Sequence, residues 1–461
     1  MIPKVTLLAA ALVGAACGRG PDLASKPPAA SRGLTTVSVL RIPRDGGTAR
    51  LYRVPALDSA SWKPADKLPP VERPVGAAPE QGLVFVLDRK SNVAALDLDT
   101  RRVRNYLENV RYATVGPDGA LYVVDTASSV VQLVRRAPVR FRSKLQGKPT
   151  ELFGTMDGAL VARLGGNQPA LQFLGSDQAP TSTPIPDGQI ASTFLGDVVA
   201  VAADSAVVLY APGRKSEPRS ITVSGDARAV LFSPSGHRLY VAQAAAPLLV
   251  LDRFEGTTLR EIELPGPARE LRGDLYGNWI LVRPEQGDSV WVIDVGTGRY
   301  VGSTEARWTA DLPAVAPPYT LLVRRGADLV ALDLSATGFT ELARIEGGAA
   351  DFWLPLAWHP AEETRIPFES DSMMVASDTG PARPTVYLQV SSSQNPTWAN
   401  ELSDKLSAAG LPASVLPPRR SEEAFRVVLG PYATREQAME TSRKLGMPSF
   451  IVTAQDQSSA Q

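Results

Sequence analysis

One pattern of apolar runs and turns recurs between residues 80 and 345, and it limits the fold more than any other feature. Two short apolar runs flank a polar turn, and a third run follows, most clearly in AVLFSPSGHRLYVAQAAAPLLVLDRFEGTTLREIEL, residues 229–264. Such runs indicate strands, and their repetition about every forty residues indicates a series of small sheets. Seven positions are equivalent, with steps of 37, 40, 36, 42, 42 and 39 residues: Leu96, Leu133, Phe173, Leu209, Leu251, Ile293 and Leu332.

This repeat predicts a mainly β protein with a β-propeller over residues 35–360. A small sheet cannot bury both of its faces alone, so such sheets stack around an axis and protect one another's edges. Seven equivalent positions predict about seven blades, and six or eight remain open. The best copies, in residues 226–300, resemble the repeats of YVTN-type and related seven-bladed propellers through SPSGHRLYVAQ and LLVLD.

Closure of the ring has to be inferred from the two ends of the repeat region. The run VFVLD, residues 84–88, has no obvious strand before it, and AADFWLPLAWHP, residues 349–360, has no repeat after it. We therefore expect the strand in residues 349–360 to complete the first blade. A hairpin predicted for residues 35–54 could serve the same closure from the other end.

The repeat region offers few residues for catalysis. Histidine occurs only at His237, in a turn where we expect it to be exposed, and at His359, which disfavours a His-based metal site or relay. Recurrent aspartates end the strands, where we expect them to cap turns: Asp97, Asp252, Asp294 and Asp333. We therefore predict a binding platform, without a cofactor and without enzymatic activity. The alternative, an enzyme of the lactonase or quinoprotein kind, rests on analogy of fold and requires charged side chains converging in the channel.

The N-terminus predicts export and lipid attachment. The apolar run of residues 5–16 is too short to span a bilayer and is typical of a signal peptide. Gly14-Ala15-Ala16-Cys17 resembles the lipobox of bacterial lipoproteins, which implies acylation of Cys17, the only cysteine. The alternative is an ordinary signal peptide with an incidental cysteine. Residues 1–17 are then the signal peptide, and the polar, Pro-rich residues 18–34 form a flexible tether.

Charge and the residue after Cys17 bear on partners and location. The formal net charge is zero, from 48 basic and 48 acidic residues, which argues against nucleic acid as a partner. Gly18 stands where an aspartate is associated with inner-membrane retention in some bacterial lipoproteins. The resemblance therefore implies a lipid anchor in the outer membrane, on its periplasmic face.

The chain changes character after an acidic linker at residues 361–384. Strands alternate with helices that begin at Asn395-Pro396 and at a capping box of Thr434 and Gln437. The order βαββαβ predicts a small ferredoxin-like α+β unit over residues 385–455, followed by a disordered tail at 456–461. The predicted strands are residues 385–391, 412–416, 424–430 and 449–453.

Residues 385–455 resemble the SPOR domain of bacterial envelope proteins. The resemblance rests on four segments in order, YLQVSSS, AAGLPASV, FRVVLGPYATREQA and PSFIV. It implies binding to peptidoglycan, especially to glycan strands stripped of stem peptides. It also implies that a glutamine and a serine of the first strand and an arginine of the third line the binding groove, here Gln389, Ser392 and Arg426.

Strand alternation supports the same surface independently. Inward-facing Phe425, Val427 and Leu429 would place Arg426 on an open face suited to a polysaccharide. Alternatively, Arg426 is a solvated residue paired with a nearby glutamate, Glu422 or Glu423. The first strand is expected to add three outward residues, Tyr387, Gln389 and Ser391.

An aromatic residue that contributes to binding in some SPOR domains has no counterpart here. Ala424 occupies its position, two residues before the arginine, and Tyr387 or Tyr432 could compensate. Together these features predict an envelope lipoprotein that binds glycan and recruits an unknown envelope protein through the propeller, in wall remodelling or septal division. The same topology also occurs in RNA-binding and small-molecule regulatory domains, which export disfavours.

Overall fold

The computed structural model describes residues 37–358 and 386–453, apart from short gaps. Cys17, His359, the tether, the linker and the tail therefore lie outside the described residues. No helix in the described part of the chain is long and apolar enough to cross a bilayer. The gaps are 135–136, 176–178, 214–215, 246, 276, 296, 318, 336–337, 394–395, 409, 418–424, 435–436, 439–440 and 442–449.

Antiparallel strands form nine four-stranded sheets among the described residues, and eight of these sheets precede the linker. The first sheet combines β1 Ser38–Ile42, β2 Arg50–Arg53 and β3 Asp58–Ser59 with β32 Phe352–Leu356. The other seven sheets each consist of four consecutive strands. In chain order these are β4 Val71–Ala78, β5 Leu83–Asp88, β6 Val93–Asp97, β7 Arg102–Leu107; β8 Val110–Val115, β9 Leu121–Asp125, β10 Ser129–Val134, β11 Ala137–Lys144; β12 Pro149–Gly154, β13 Leu160–Leu164, β14 Ala170–Leu174, β15 Thr181–Pro184; β16 Ile190–Ser192, β17 Val199–Ala203, β18 Ala206–Tyr210, β19 Arg219–Thr222; β20 Ala227–Phe232, β21 Arg238–Gln243, β22 Leu248–Asp252, β23 Thr258–Ile262; β24 Ala268–Gly273, β25 Trp279–Pro284, β26 Ser289–Asp294, β27 Arg299–Glu305; and β28 Ala314–Ala316, β29 Thr320–Arg325, β30 Asp328–Asp333, β31 Glu341–Ile345.

The eight sheets stack face to face as the blades of a β-propeller. Eight hydrophobic clusters lie between successive sheets, and each cluster takes its buried residues from two neighbouring sheets. One cluster, for example, joins Val207 of β18 to Val241 of β21, and another joins Val161 of β13 to Val201 of β17. Each sheet is thus covered on both faces, which explains why its inner strands are almost wholly apolar.

The described residues form eight blades, one more than the seven repeat positions and within the range of six to eight that the sequence left open. All seven repeat positions do lie in the third strands of successive sheets, from Leu96 in β6 to Leu332 in β30. The seven repeat positions do not include the eighth blade, because its strands come from both ends of the repeat region. Its third strand is β2, which belongs to the N-terminal hairpin.

The ring closes where β1 pairs with β32, from Ser38 opposite Leu356 to Ile42 opposite Phe352. The N-terminal hairpin and the C-terminal strand therefore share one blade. The expectation that residues 349–360 complete the blade of VFVLD is wrong, because that blade has its own first strand, β4. Two bulges interrupt the β4–β5 ladder, and Pro74 and Gly76 obscure β4 as a strand in the sequence.

A buried ion pair supports the closure from the neighbouring blade. Arg324 of β29 contacts Asp311 at 2.8 Å, and both side chains are almost completely buried. Arg324 also donates to the backbone carbonyl oxygens of Ala349 and Asp351, at 3.1 and 2.6 Å, and the Trp353 backbone N–H donates to Asp311 at 2.8 Å. This network connects the last complete blade to the segment that contains β32.

The strand-end aspartates act as expected, since their carboxylates accept hydrogen bonds from the following turns. Asp252 accepts from the backbone N–H groups of Phe254 and Glu255, at 2.7 and 2.9 Å. Equivalent bonds to residues two or three positions ahead are made by Asp97, Asp294 and Asp333. The structural interpretation of these aspartates is confirmed.

His237 departs from the expectation of an exposed side chain without a partner. It is half-buried, and its Nδ1 is hydrogen-bonded to the Ser235 hydroxyl. Burial, reinforced by Arg238, lowers the pKa of His237 to about 4. The imidazole is therefore neutral at physiological pH and forms part of the turn structure.

The described residues after the linker form a separate four-stranded sheet in the order β34-β35-β33-β36. Helix α1, Pro396–Ala408, packs on it through Ala399, Leu402 and Leu406, and Gly410 follows with a φ of +83°. The second helix lies mostly outside the described residues, but Gln437 N donates to Thr434 Oγ1 at 3.2 Å, as its predicted cap requires. The strands are β33 Val386–Ser393, β34 Ala413–Leu416, β35 Phe425–Tyr432 and β36 Phe450–Thr453.

Replacing Arg324 with methionine tests the closure network. Arg324→Met keeps much of the side-chain volume but leaves the Asp311 carboxylate buried without its cation, which costs about 3–5 kcal/mol. We expect a clearly lower midpoint of urea unfolding, followed by tryptophan fluorescence. Arg344→Met, which breaks an exposed pair with Asp328, is the matched control and should change the midpoint little. Equal effects of the two substitutions would contradict a special role of the buried pair.

His237 predicts a specific loss of stability in mild acid. The unfolded chain takes up a proton near the usual pKa of 6.5, whereas the folded chain does so only near 4. The contribution of neutral His237 is therefore complete above pH 6.5 and is lost between pH 6.5 and 4, by at most about 1.4 kcal/mol per pH unit. His237→Gln should show a smaller decrease in melting temperature over this window than the unaltered protein. Parallel pH profiles would contradict the prediction.

Candidate functional site

The predicted site residues lie on two central strands of the C-terminal sheet, β33 and β35. Gln389 is opposite Val428, and Ser392 is opposite Arg426, with Val390 as an extra residue in β33 between these two pairs. Residues directly opposite one another in a sheet share a face. Because Val390 is inserted as a bulge, Gln389 and Ser392 share one face although they are three positions apart.

The expected outward orientation of Ser391 is wrong for the same reason. Ser391 is opposite Val427, which is buried in the cluster formed with helix α1. Simple alternation along β33 would put Ser391 on the face of Gln389, but the bulge reverses the alternation after Val390. Ser391 is accordingly only 3% exposed.

The strand register separates the two faces of this sheet. Val427 and Leu429 belong to the helix-covered core, and Leu388 is opposite Leu429. Gln389 and Arg426 therefore lie on the face away from α1, as expected. On β34, Ser414 is opposite Val428, and Leu416 is opposite Arg426, so these residues extend the same surface.

Burial differs among the predicted contact residues. Arg426 and Tyr387 are half-buried, and the side chain of Ser392 is not among those described. Gln389 is only 4% exposed, so its amide does not stand free on an open surface. The sheet thus brings Gln389, Ser392 and Arg426 together by position, while access to Gln389 is restricted in this arrangement.

Two tyrosines lie near the start of β33 and the end of β35. A Cβ on Gly430, whose φ is +127°, would lie 3.2 Å from ring atoms of both Tyr387 and Tyr432. The rings therefore pack on either side of a position that needs glycine. The Tyr432 hydroxyl is buried, and no hydrogen-bond partner for it occurs among the described residues. Both tyrosines lie at the other end of the β33–β35 pair from Ser392 and Arg426, and Tyr432 packs against the helix-covered core.

The propeller has its own cavity at the ends of its first strands. It has a volume of about 450 Å³ and is lined mainly by apolar and small residues such as Leu231, Trp279 and Leu354. Asp274 is the one ionisable side chain among the described residues of this lining, and it accepts the Trp279 backbone N–H at 2.8 Å. No group of three potential metal ligands occurs among the residues described.

Comparison with solved structures returns propellers of low similarity. AztD from Citrobacter koseri is 12% identical, with 71% of this chain and 100% of that chain covered and a TM-score of 0.49. The dihydro-heme d1 dehydrogenase NirN is 14% identical, with 68% and 76% covered and a TM-score of 0.47. Hsv2 from Kluyveromyces lactis is 10% identical, with 57% and 90% covered and a TM-score of 0.40. No curated protein matches this chain.

Comparison with protein families identifies the C-terminal unit. The family model described as "SPOR domain" matches residues 382–453, which include all four strands of the C-terminal sheet and α1. This part of the chain is therefore a SPOR domain, preceded by a β-propeller, and it indicates peptidoglycan binding and association with the cell envelope.

Proposed function

We propose that the protein is an envelope lipoprotein that binds glycan strands lacking stem peptides, through the face of the SPOR domain that carries Gln389, Ser392 and Arg426. The observation that carries this proposal is the register of β33 and β35, which places these three residues on one face. Tyr387, two residues before Gln389, adds an aromatic ring to the surface.

The side chains suit a glycan chemically. An amide and a hydroxyl exchange hydrogen bonds with sugar hydroxyls and acetamido groups, and a guanidinium pairs with a lactyl carboxylate. β33 and β35 are the two central strands, and each is paired on both sides over part of its length, so recognition rests mainly on side chains. Such a surface recognises the functional groups of a sugar chain and not a peptide sequence.

The propeller is proposed to be a scaffold that binds another envelope protein during wall remodelling or division. Among its described residues the cavity is lined mainly by apolar groups with Asp274 as the one ionisable side chain, which supports binding; catalysis of the lactonase or quinoprotein kind is the alternative and rests on fold analogy. Cys17 is proposed to carry the lipid anchor, in the outer membrane facing the periplasm, because it is the sole cysteine and follows a signal-peptide pattern. Septal enrichment would follow from the distribution of stripped glycan.

Sedimentation with purified sacculi tests the proposed function. The full chain is incubated with sacculi before and after treatment with an amidase that removes stem peptides. We expect sedimentation with both preparations and more of it after amidase treatment, because the proposed ligand is stripped glycan. Failure to sediment with either preparation would reject peptidoglycan as the ligand.

Arg426 provides the sharpest test of the site itself. A charge-assisted hydrogen bond contributes about 1.5–3 kcal/mol, so Arg426→Ala should weaken binding to amidase-treated sacculi about tenfold or more. Arg426→Lys should retain part of the affinity, because it keeps the charge but loses the planar fork. Arg344→Ala in the propeller removes the same charge and should bind normally. Equal binding by Arg426→Ala and the unaltered protein would favour the alternative in which Arg426 is merely solvated.

A further inference from the structure

The second half of β33 has less support from its own sheet than the first half. Strand β36 is opposite β33 only from Val386 to Gln389. Beyond Gln389, β35 is the one strand opposite β33 among the described residues, and the bulged Val390 has no opposite residue there. A bulged residue is left out of the ladder, so its position depends on the packing of its side chain. Ser392 follows this segment directly.

A turn of the propeller packs against the same segment. Leu195, in the turn of residues 193–196 between β16 and β17, belongs to the hydrophobic cluster of the SPOR domain together with Val390. Leu195, Val390 and Ser391 also line one crevice of about 10 Å³, which holds one water molecule at most. Leu195 is 6% exposed, and Val390 is 3% exposed. The turn and the bulge therefore exclude almost all water from their contact.

The turn that carries Leu195 is itself fixed on the propeller. The Gly196 backbone N–H donates to the Thr193 carbonyl oxygen at 3.0 Å, and the Thr193 hydroxyl donates to Asp197 at 2.6 Å. The Met156 backbone N–H, from the preceding blade, donates to the Leu195 carbonyl oxygen at 3.0 Å. Leu195 is thus presented to the SPOR domain from a backbone that two blades hold in place.

The conformation of this turn does not require a leucine. In five other turns between the first and second strands of a blade, the N–H of a left-handed glycine makes the same hydrogen bond to the carbonyl oxygen three residues earlier. The residues equivalent to Leu195 are polar in four of these turns, and the fifth has Tyr276, which is outside the described residues. The polar ones are Gln81, Asp118, Asp157 and Ser235. Contact with the SPOR domain accounts for the leucine, whereas the turn does not.

We propose that the propeller completes the glycan-binding site, because the turn with Leu195 supports the bulge at Val390 and so fixes the position of Ser392. The contact lies on the side of the sheet that α1 covers, so it acts on the glycan-binding face only through β33. Leu195 is then a positioning residue for Ser392. The inference rests on the proposed function and adds the propeller as an internal partner of the SPOR domain.

The affinity that Leu195 can contribute has an upper limit in this arrangement. A neutral hydrogen bond between Ser392 and a glycan corresponds to about two- to tenfold in affinity. Because Leu195 acts through Ser392, removing the support at Leu195 should weaken binding by no more than removing the Ser392 hydroxyl.

Leu195→Asp in the full chain tests the proposal, and aspartate occurs at the equivalent turn position as Asp118 and Asp157. A carboxylate against Val390 should separate the turn from the bulge, since a buried charge without a partner is costly. Binding to amidase-treated sacculi should weaken about two- to tenfold. Leu195→Met keeps an apolar side chain of similar volume and should bind normally. Equal or tighter binding by Leu195→Asp would overturn the proposal.

Two further variants distinguish positioning of Ser392 from a general disturbance. Leu275→Asp introduces the same charge at a turn residue that is 43% exposed, and it should leave binding unchanged. In a chain that already carries Ser392→Ala, Leu195→Asp should have little further effect on binding, because the two residues act as a unit. Losses that multiply in the double variant would overturn the role of Leu195 in positioning Ser392.

Hydrogen exchange measures the support of β33 separately from glycan binding. Exchange of the backbone amides in residues 386–393, followed by mass spectrometry of the full chain, should be faster in Leu195→Asp than in the unaltered protein. Unchanged exchange would overturn the proposed support. Failure of the unaltered protein to sediment with sacculi would instead reject the proposed function, and the positioning role with it, whatever the exchange rates are.

Discussion

The pairing of β1 with β32 is the contact on which the propeller depends. Every blade buries both faces against its neighbours, so the eight hydrophobic clusters form a closed cycle. Two of these clusters include β1 and β32 themselves, and both would open to water if the pairing were lost. The buried Arg324–Asp311 pair reinforces this point by tying the adjacent blade to the backbone around Trp353.

The shared face of Gln389, Ser392 and Arg426 in the SPOR domain depends on the β-bulge at Val390. The extra residue in β33 allows a glutamine and a serine of odd spacing to share a face with Arg426. In a regular strand, either the Gln389 amide or the Ser392 hydroxyl would point into the core, where it would need a hydrogen-bond partner. The bulge thus resolves a conflict between a spacing of three and the two-residue period of a strand.

The sequence predicts the regular features of both domains well and the irregular ones poorly. Seven third strands could be aligned from Leu96 to Leu332 because each follows its predecessor at a similar interval. The eighth blade could not be aligned in this way. Its closure joins strands that are about three hundred residues apart in the chain, and a local repeat does not predict such a pairing. The face of Arg426 follows from its apolar neighbours in β35. The alternation of apolar and polar residues in β33 does not predict the bulge at Val390 or the resulting orientation of Ser391.

Other features were visible in the sequence but needed the structure for their meaning. The low exposure of Gln389 could not be predicted at all, because it depends on how strands distant in the chain come together. His237 lies in an ordinary turn motif, and only the three-dimensional surroundings show that it is kept neutral.

The closing blade also determines how mechanical load would pass through the molecule. Ser38, near the start of the ring, lies directly opposite Leu356, near its end, so the chain enters and leaves the propeller at neighbouring points. In the proposed function, tension between membrane and cell wall would act on these two points alone and would not stretch the other seven blades. Force applied at the same end of an antiparallel pair opens its hydrogen bonds one after another, as in a zipper, and not all at once, as in shear. The β1–β32 ladder would therefore be the element that yields first under tension.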